Sequence, residues 1–242
     1  MIISISGKIG SGKDTVGSII QYLTCNADKA NIKYSEWDGN TVWNINAHNW
    51  KIKKFADKLK DIACIMLGCT RAQLEDQEFK KTFLPVEWGY LKTPTIHQLM
   101  TVREFLQKLG TDAMRNGLHE NVWVNSLMSD YKPDSYTRMS VTYIASKLPN
   151  WIITDTRFPN ELEAVKAKGG VTIRVVRPNK NYNIVTDGHI TRRATESEEQ
   201  QLLHPSETAL DDAKFDYEIV NAGTIEDLVE KVRVILIELN II

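Results

Sequence analysis

Apolar residues follow two periodicities along this chain, and their alternation predicts strands interleaved with helices. Ile2, Ile3 and Ile5 form a short β-branched run closed by Gly7, the pattern of a buried strand. Beyond the next glycines, Val16, Ile19, Ile20 and Leu23 recur at i, i+3, i+4 and i+7 and mark one helix face. Lys53 to Phe55 leads a strand into a helix through Leu59, Ile62, Ala63 and Met66 that ends at Gly68, and Thr70 caps another helix starting at Arg71. Pro85 to Pro94 reads as loop. Leu99, Val102, Leu106 and Leu109 make a helical stripe with Gly110 as its C-cap. Asn121 to Tyr131 reads as helix. Later strands are expected at Trp151–Thr154, Val171–Val176 and Tyr217–Val220, with a helix from Glu161 to Lys168 and a last one striped by Ile225, Leu228, Val229, Val232 and Leu239. This order implies an α/β fold, a mostly parallel sheet between two helical layers. Two polar stretches interrupt it. Residues 33–50 carry Asp38-Gly39-Asn40 between Trp37 and Trp43 and read as a hairpin insertion. Residues 178–204 carry Arg192-Arg193 and then an acidic run, and read as a flap or an insertion.

Composition adds limits. The 242 residues are 42% hydrophobic and 25% charged, which suits one domain over 1–242 with a helical insertion at about 56–150 and a flap at about 178–204. A net charge of −1 gives no general attraction to nucleic acid or membrane, so an anionic ligand needs local cations. Cys25, Cys64 and Cys69 form no Cys-x-x-Cys pair, and the histidines show no metal-ligand spacing. No apolar run approaches the ~20 residues that span a bilayer, and the first residues lack a signal-peptide pattern. A cytoplasmic protein is expected.

The candidate chemistry begins at Gly7-Lys8-Ile9-Gly10-Ser11-Gly12-Lys13-Asp14-Thr15. This is G-x-x-x-x-G-K between a strand and an amphipathic helix, a phosphate-binding P-loop, with Asp14 in the usual Ser/Thr position. Glycines let main-chain N–H groups converge on phosphate oxygens, and the helix start adds the positive end of its dipole. Gly10, Ser11, Gly12, Lys13, Asp14 and Thr15 are therefore the residues expected to hold the phosphates of a nucleoside triphosphate. Lys13 supplies a cation for the β- and γ-phosphates, and Asp14 and Thr15 are the candidate magnesium groups, partly through water.

Two further segments face a choice between chemistry and plain structure. Asp155 ends an apolar strand, where parallel sheets bind ligands; it either orients magnesium or substrate, or pairs with Arg157 as a strand-end ion pair. Arg157 would stabilise charge on a transferring phosphoryl group. Arg103 and Gln107 share one helix face, as phosphate and base readers or as solvated surface. Trp123 either stacks on a base or fills a core gap.

The combination of the loop, Phe55-Ala56-x-x-Leu59-Lys60-Asp61, Arg103-x-x-x-Gln107-x-x-Gly110-Thr111-Asp112, Trp123-Val124 and Asp155-Thr156-Arg157 resembles the deoxynucleoside monophosphate kinases of tailed bacteriophages. The Asp after the loop lysine is similar to that family's own loop. The resemblance implies a P-loop kinase core with an added helical substrate region, ATP as phosphate donor, a deoxynucleoside monophosphate as acceptor, Mg2+ as cofactor and a homodimer. It also implies that Lys13, Asp155 and Arg157 are catalytic. Lys8, Lys60, Arg103, Gln107, Gly110, Thr111, Trp123, Asp155, Arg157 and Glu161 would then surround the acceptor, with Lys80 or Lys81 where the family has a phosphate-contacting arginine. The rival expectations are another small-molecule P-loop kinase and a non-enzymatic ATP-dependent switch.

Overall fold

The computed structural model describes residues 1–25, 31–37, 39, 50–93, 96–133, 135–138, 141–144, 147–178, 184–187, 190–193 and 205–242. They form two compact units, one of residues 1–54 with 131–242 and the other of residues 55–130. The second unit lies in the stretch where a helical insertion is expected, at about 56–150.

The first unit is built on a five-stranded sheet. Its strands are β1 (Ile2–Ser6), β2 (Trp50–Lys53), β7 (Asn150–Thr156), β8 (Val171–Val176) and β11 (Tyr217–Val220), in the order β11-β8-β1-β7-β2. Every neighbouring pair is parallel, with Ile3 opposite Ile152 on one side and Val171 on the other. β1 therefore lies at the centre, flanked on both edges, and all five of its residues are buried. This is why its sequence is continuously apolar or small rather than alternating. Ile3 and Ile5 join a core with Val16, Ile19 and Ile20 of α1 (Lys13–Thr24) and with Leu228, Val232 and Leu236 of the C-terminal helix Ile225–Glu238. Ile2 and Ser4 alternate to the other face. There the helix Pro159–Ala167 packs against β1 and β8 and buries Leu162 and Val165. Sheet and helices make the expected three-layer parallel α/β arrangement of a P-loop protein.

The insertion holds α2 (Asp57–Leu67), α3 (Arg71–Glu75), α4 (Gln77–Lys81), the hairpin β3–β4 (Tyr90–Thr93 and Ile96–Gln98), α5 (Val102–Gln107) and α6 (Val122–Met128). Thr70 with Gln73, and Thr101 with Glu104, form capping boxes that start α3 and α5. Ala63, Leu74, Val102 and Phe105 make its core. Two expectations are corrected here. The segment Pro85–Pro94 contains a 3-10 turn (Val86–Trp88) and a strand instead of only loop. Gly110 is not a C-cap: it lies inside a π-helix, Lys108–Asn116, that continues α5. A Cβ at Gly110 would come within 2.9 Å of Leu59 Cδ2, so glycine serves close packing there rather than helix termination.

Of the polar stretches, Tyr34–Glu36 forms a 3-10 turn whose Tyr34 and neighbouring Trp37 pack on Tyr22. Residues 38 and 40–49 of the expected hairpin, including Trp43, lie outside the described residues. Ser135–Arg138 and Val141–Ile144 form the antiparallel pair β5–β6; the flap region contains the antiparallel pair β9 (Ile184–Asp187) and β10 (Ile190–Arg193), and residues 194–204 lie outside the description. No helix among the described residues is long and apolar enough to cross a membrane.

Candidate functional site

The glycine loop joins the carboxyl end of β1 to the start of α1. Gly10 and Gly12 have φ of +70° and +100°, the left-handed region where a side chain is strained. Gly12 is the N-cap of α1, and no side chain caps that helix. The Lys13, Asp14 and Thr15 amides belong to the first turn, whose N–H groups have no partner inside a helix. They form an anion cradle strengthened by the helix dipole. Ser11 Oγ is buried there with no hydrogen-bond partner among the described residues. An orphaned buried hydroxyl is costly unless a ligand meets it. Asn221, just past β11, holds the loop from outside by donating from Nδ2 to the Ser11 carbonyl at 2.8 Å. The loop lines a cleft of about 360 Å³ with Arg157, Arg174, Arg177 and Glu207.

Lys13 is 8% exposed. Burial lowers its pKa, with Arg157 nearby acting in the same direction and Glu207, Asp14 and Asp155 opposing. The ammonium group is held in surroundings that favour an incoming anion. Asp14 Oδ1 accepts from the Thr154 hydroxyl at 2.8 Å and pairs with Lys54 Nζ at 3.0 Å. Burial pushes the Asp14 carboxyl upward, but the Lys54 charge, the hydrogen bonds and Lys13 outweigh it, so its pKa is lowered. Asp155 is half-buried near the end of β7 and contributes to the field at Lys13.

Arg157 follows β7. Its Nη1 donates to Glu207 Oε1 and to the Ser206 carbonyl at 3.4 Å. Arg157 thus pairs with the Glu207 carboxylate. Glu161 is 2% exposed, and its Oε2 accepts the amides of Arg157 at 2.7 Å and Phe158 at 3.2 Å. With Pro159 in the first turn, this is the start of a helix. Glu161 therefore acts on the main chain of Arg157, where a direct substrate ligand was expected. Lys8 pairs with Asp211 at 3.1 Å.

The other predicted residues lie in the 55–130 unit. Lys60 pairs with Glu75 at 2.6 Å, Lys81 with Glu78 at 2.9 Å, and Arg103 donates to Gln77 at 3.0 Å. Gln107 ends α5, and Gly110 and Thr111 lie in the π-helix, a rare geometry that recurs at functional sites. Trp123 is 5% exposed and donates its indole N–H to the Gly110 carbonyl at 2.9 Å. It fills the interior and fixes the π-helix, so a base-stacking role does not fit its position.

A family model described as deoxynucleotide monophosphate kinase matches residues 65–232. The chain belongs to the deoxynucleotide monophosphate kinase family. It is 30% identical over 141 residues to the deoxynucleotide monophosphate kinase of Escherichia phage RB69, covering 58% of this chain and 47% of that protein. It thus spans about half the length of that phage relative. A relative in Acanthamoeba polyphaga mimivirus is 28% identical over 191 residues, 74% of this chain and 79% of its own. Among solved structures, shikimate kinase from Aquifex aeolicus matches with a TM-score of 0.42 at 14% identity, over 98% of this chain and 96% of that one.

For this family member, sequence reasoning missed Lys54, Thr154, Asn221 and Glu207. Lys54 and Asn221 sit just beyond the carboxyl ends of β2 and β11, where open parallel sheets bind ligands. Applying that rule to every strand, and not only to β7, would have found them. Magnesium fits the donor set at the loop. Asp14 Oδ1 is engaged, while Oδ2 and the Thr15 hydroxyl are hard oxygen donors beside the anion cradle. Mg2+ typically uses one or two carboxylates with phosphates and waters.

Proposed function

We propose that this protein transfers the γ-phosphate of ATP to a deoxynucleoside 5′-monophosphate, giving the diphosphate. The observation that carries the reading is the uncapped start of α1 with buried Lys13, in the field of Arg157, and the orphaned Ser11 hydroxyl in one cleft with Arg157. Family membership supports the acceptor class. In this reading the amides of residues 10–15 and Lys13 hold the triphosphate, and Arg157 meets charge on the transferring group. Direct in-line transfer needs positioning and charge neutralisation, with no covalent protein intermediate. Asp14 and Thr15 would hold Mg2+, directly or through water; bound there, the ion neutralises charge on the β- and γ-oxygens. Asp155 orients the acceptor or the ion's waters. Lys60, Lys81, Arg103, Gln107 and Thr111 are assigned to the acceptor on the family likeness, and Gly110 and Trp123 to shaping the π-helix that carries Thr111. The net charge of −1 supports a protein that does not bind nucleic acid. Its work would be in the host-cell cytoplasm, and by family likeness as a homodimer.

A coupled assay of ADP release across the four deoxynucleoside monophosphates and their ribose counterparts tests this. Acceptor-dependent release with at least one deoxynucleotide is expected. Release only with a non-nucleotide acceptor would indicate another small-molecule kinase, and ATP binding without release would indicate a switch.

A further inference from the structure

Residues 205–211 lie outside the sheet, yet they carry two carboxylates onto the glycine loop and its surroundings. Asp211 pairs with Lys8, and both are partly exposed, so that contact contributes little. Glu207 differs. Its side chain is 3% exposed. Oε2 accepts the Ile9 amide at 2.9 Å, and Oε1 receives Nη1 of Arg157. A buried carboxylate is costly unless its charge is met. Here it is met by one main-chain N–H of the phosphate loop and by one nitrogen of the phosphoryl-facing arginine.

The use of a single nitrogen matters. Every side-chain hydrogen bond of Arg157 among the described residues leaves from Nη1. The Nε–H and Nη2 hydrogens make the edge of the guanidinium that can grip two oxygens at once, and among the described residues that edge carries no hydrogen bond. Its main-chain amide is fixed separately by Glu161.

We propose that Glu207 is a positioning residue: it ties Nη1 of Arg157 to the Ile9 turn of the glycine loop and so presents the other guanidinium edge to the phosphoryl oxygens. This rests on the phosphotransferase reading above. Donors fixed before the reaction stabilise developing charge without reorganising, and a long arginine side chain needs such support to be fixed. Simple Coulomb attraction argues the opposite effect for charge removal, since deleting a negative charge beside an anion site strengthens it. A loss of turnover on neutralising Glu207 therefore isolates positioning.

The test compares wild type, Glu207→Gln, Arg157→Ala and the double variant by kcat, KM for ATP and calorimetric ADP affinity. Glu207→Gln is expected to lower kcat about 30-fold, with KM for ATP and ADP affinity within about threefold of wild type, and to add under about twofold to the Arg157→Ala loss. Wild-type kcat in Glu207→Gln, or losses that multiply in the double variant, would overturn the proposal. Amide exchange over residues 7–12 of the free protein gives a readout that does not depend on activity. It should quicken about tenfold or more in Glu207→Ala. If wild type transfers phosphate to no acceptor, the phosphotransferase reading falls, and exchange alone decides the brace: unchanged exchange in Glu207→Ala overturns it.

Discussion

Lys13→Ala is expected to reduce phosphotransfer about 1,000-fold or more while the protein stays folded. The ammonium group is buried, and burial and the Arg157 charge together lower its pKa more than the neighbouring carboxylates raise it. In the free protein it is therefore a destabilising charge whose value is realised when a polyphosphate enters. Its removal should leave the melting temperature unchanged or raise it by a few degrees, the scale that ~1 kcal/mol produces in a domain of this size. The pH dependence follows. With the folded pKa below the ordinary 10.5, the unfolded chain binds more protons between the two values, so this group makes stability rise with pH through that window. Lys13→Ala should flatten the rise. Turnover and melting curves from pH 7 to 10 check both parts, and a variant that is unfolded or fully active would contradict them.

Arg157→Ala is the second large effect. Arginines that stabilise transferring phosphoryl groups are worth about 1,000-fold or more in kcat, and the Nε/Nη2 edge of Arg157 carries no hydrogen bond among the described residues. Turnover should fall by that order, while ADP affinity changes only a few-fold, because in the proposed reading the loop amides and Lys13 hold the nucleotide. Arg157→Lys keeps the charge but loses the fork and should recover only part of the loss. Rates and calorimetric affinities measured together separate the effects. A large loss of ADP affinity with kcat unchanged would place Arg157 in nucleotide binding instead.

Much of the core was legible because its signals are local. Val171–Val176 and Tyr217–Val220 are short β-rich runs bounded by glycine, proline or asparagine, and both strands occupy the expected residues. The glycine loop was legible for the same reason, since its spacing between a strand and an amphipathic helix specifies its shape. Misreadings arose where the cause is distant. Gly110 looked like a helix end because Leu59, the side chain that requires a small residue there, is far away in sequence. Glu207 gave no local sign of its role because one partner, Ile9, is 198 positions away and the other, Arg157, is 50. Trp123 carries no local sign of whether its N–H meets Gly110 or a ligand. Glu161 was taken for a ligand because a capping glutamate and a substrate glutamate look alike until the amides of Arg157 and Phe158 are seen.

The central claim is that phosphate passes from ATP to a deoxynucleoside monophosphate at the glycine loop. The most direct measurement follows the label from γ-phosphate-labelled ATP incubated with each deoxynucleoside monophosphate and magnesium, with products separated by chromatography. The account predicts label in the β-position of a deoxynucleoside diphosphate, formed by wild type and not by Lys13→Ala. Label that stays in ATP, or appears only as inorganic phosphate whatever the acceptor, would contradict it.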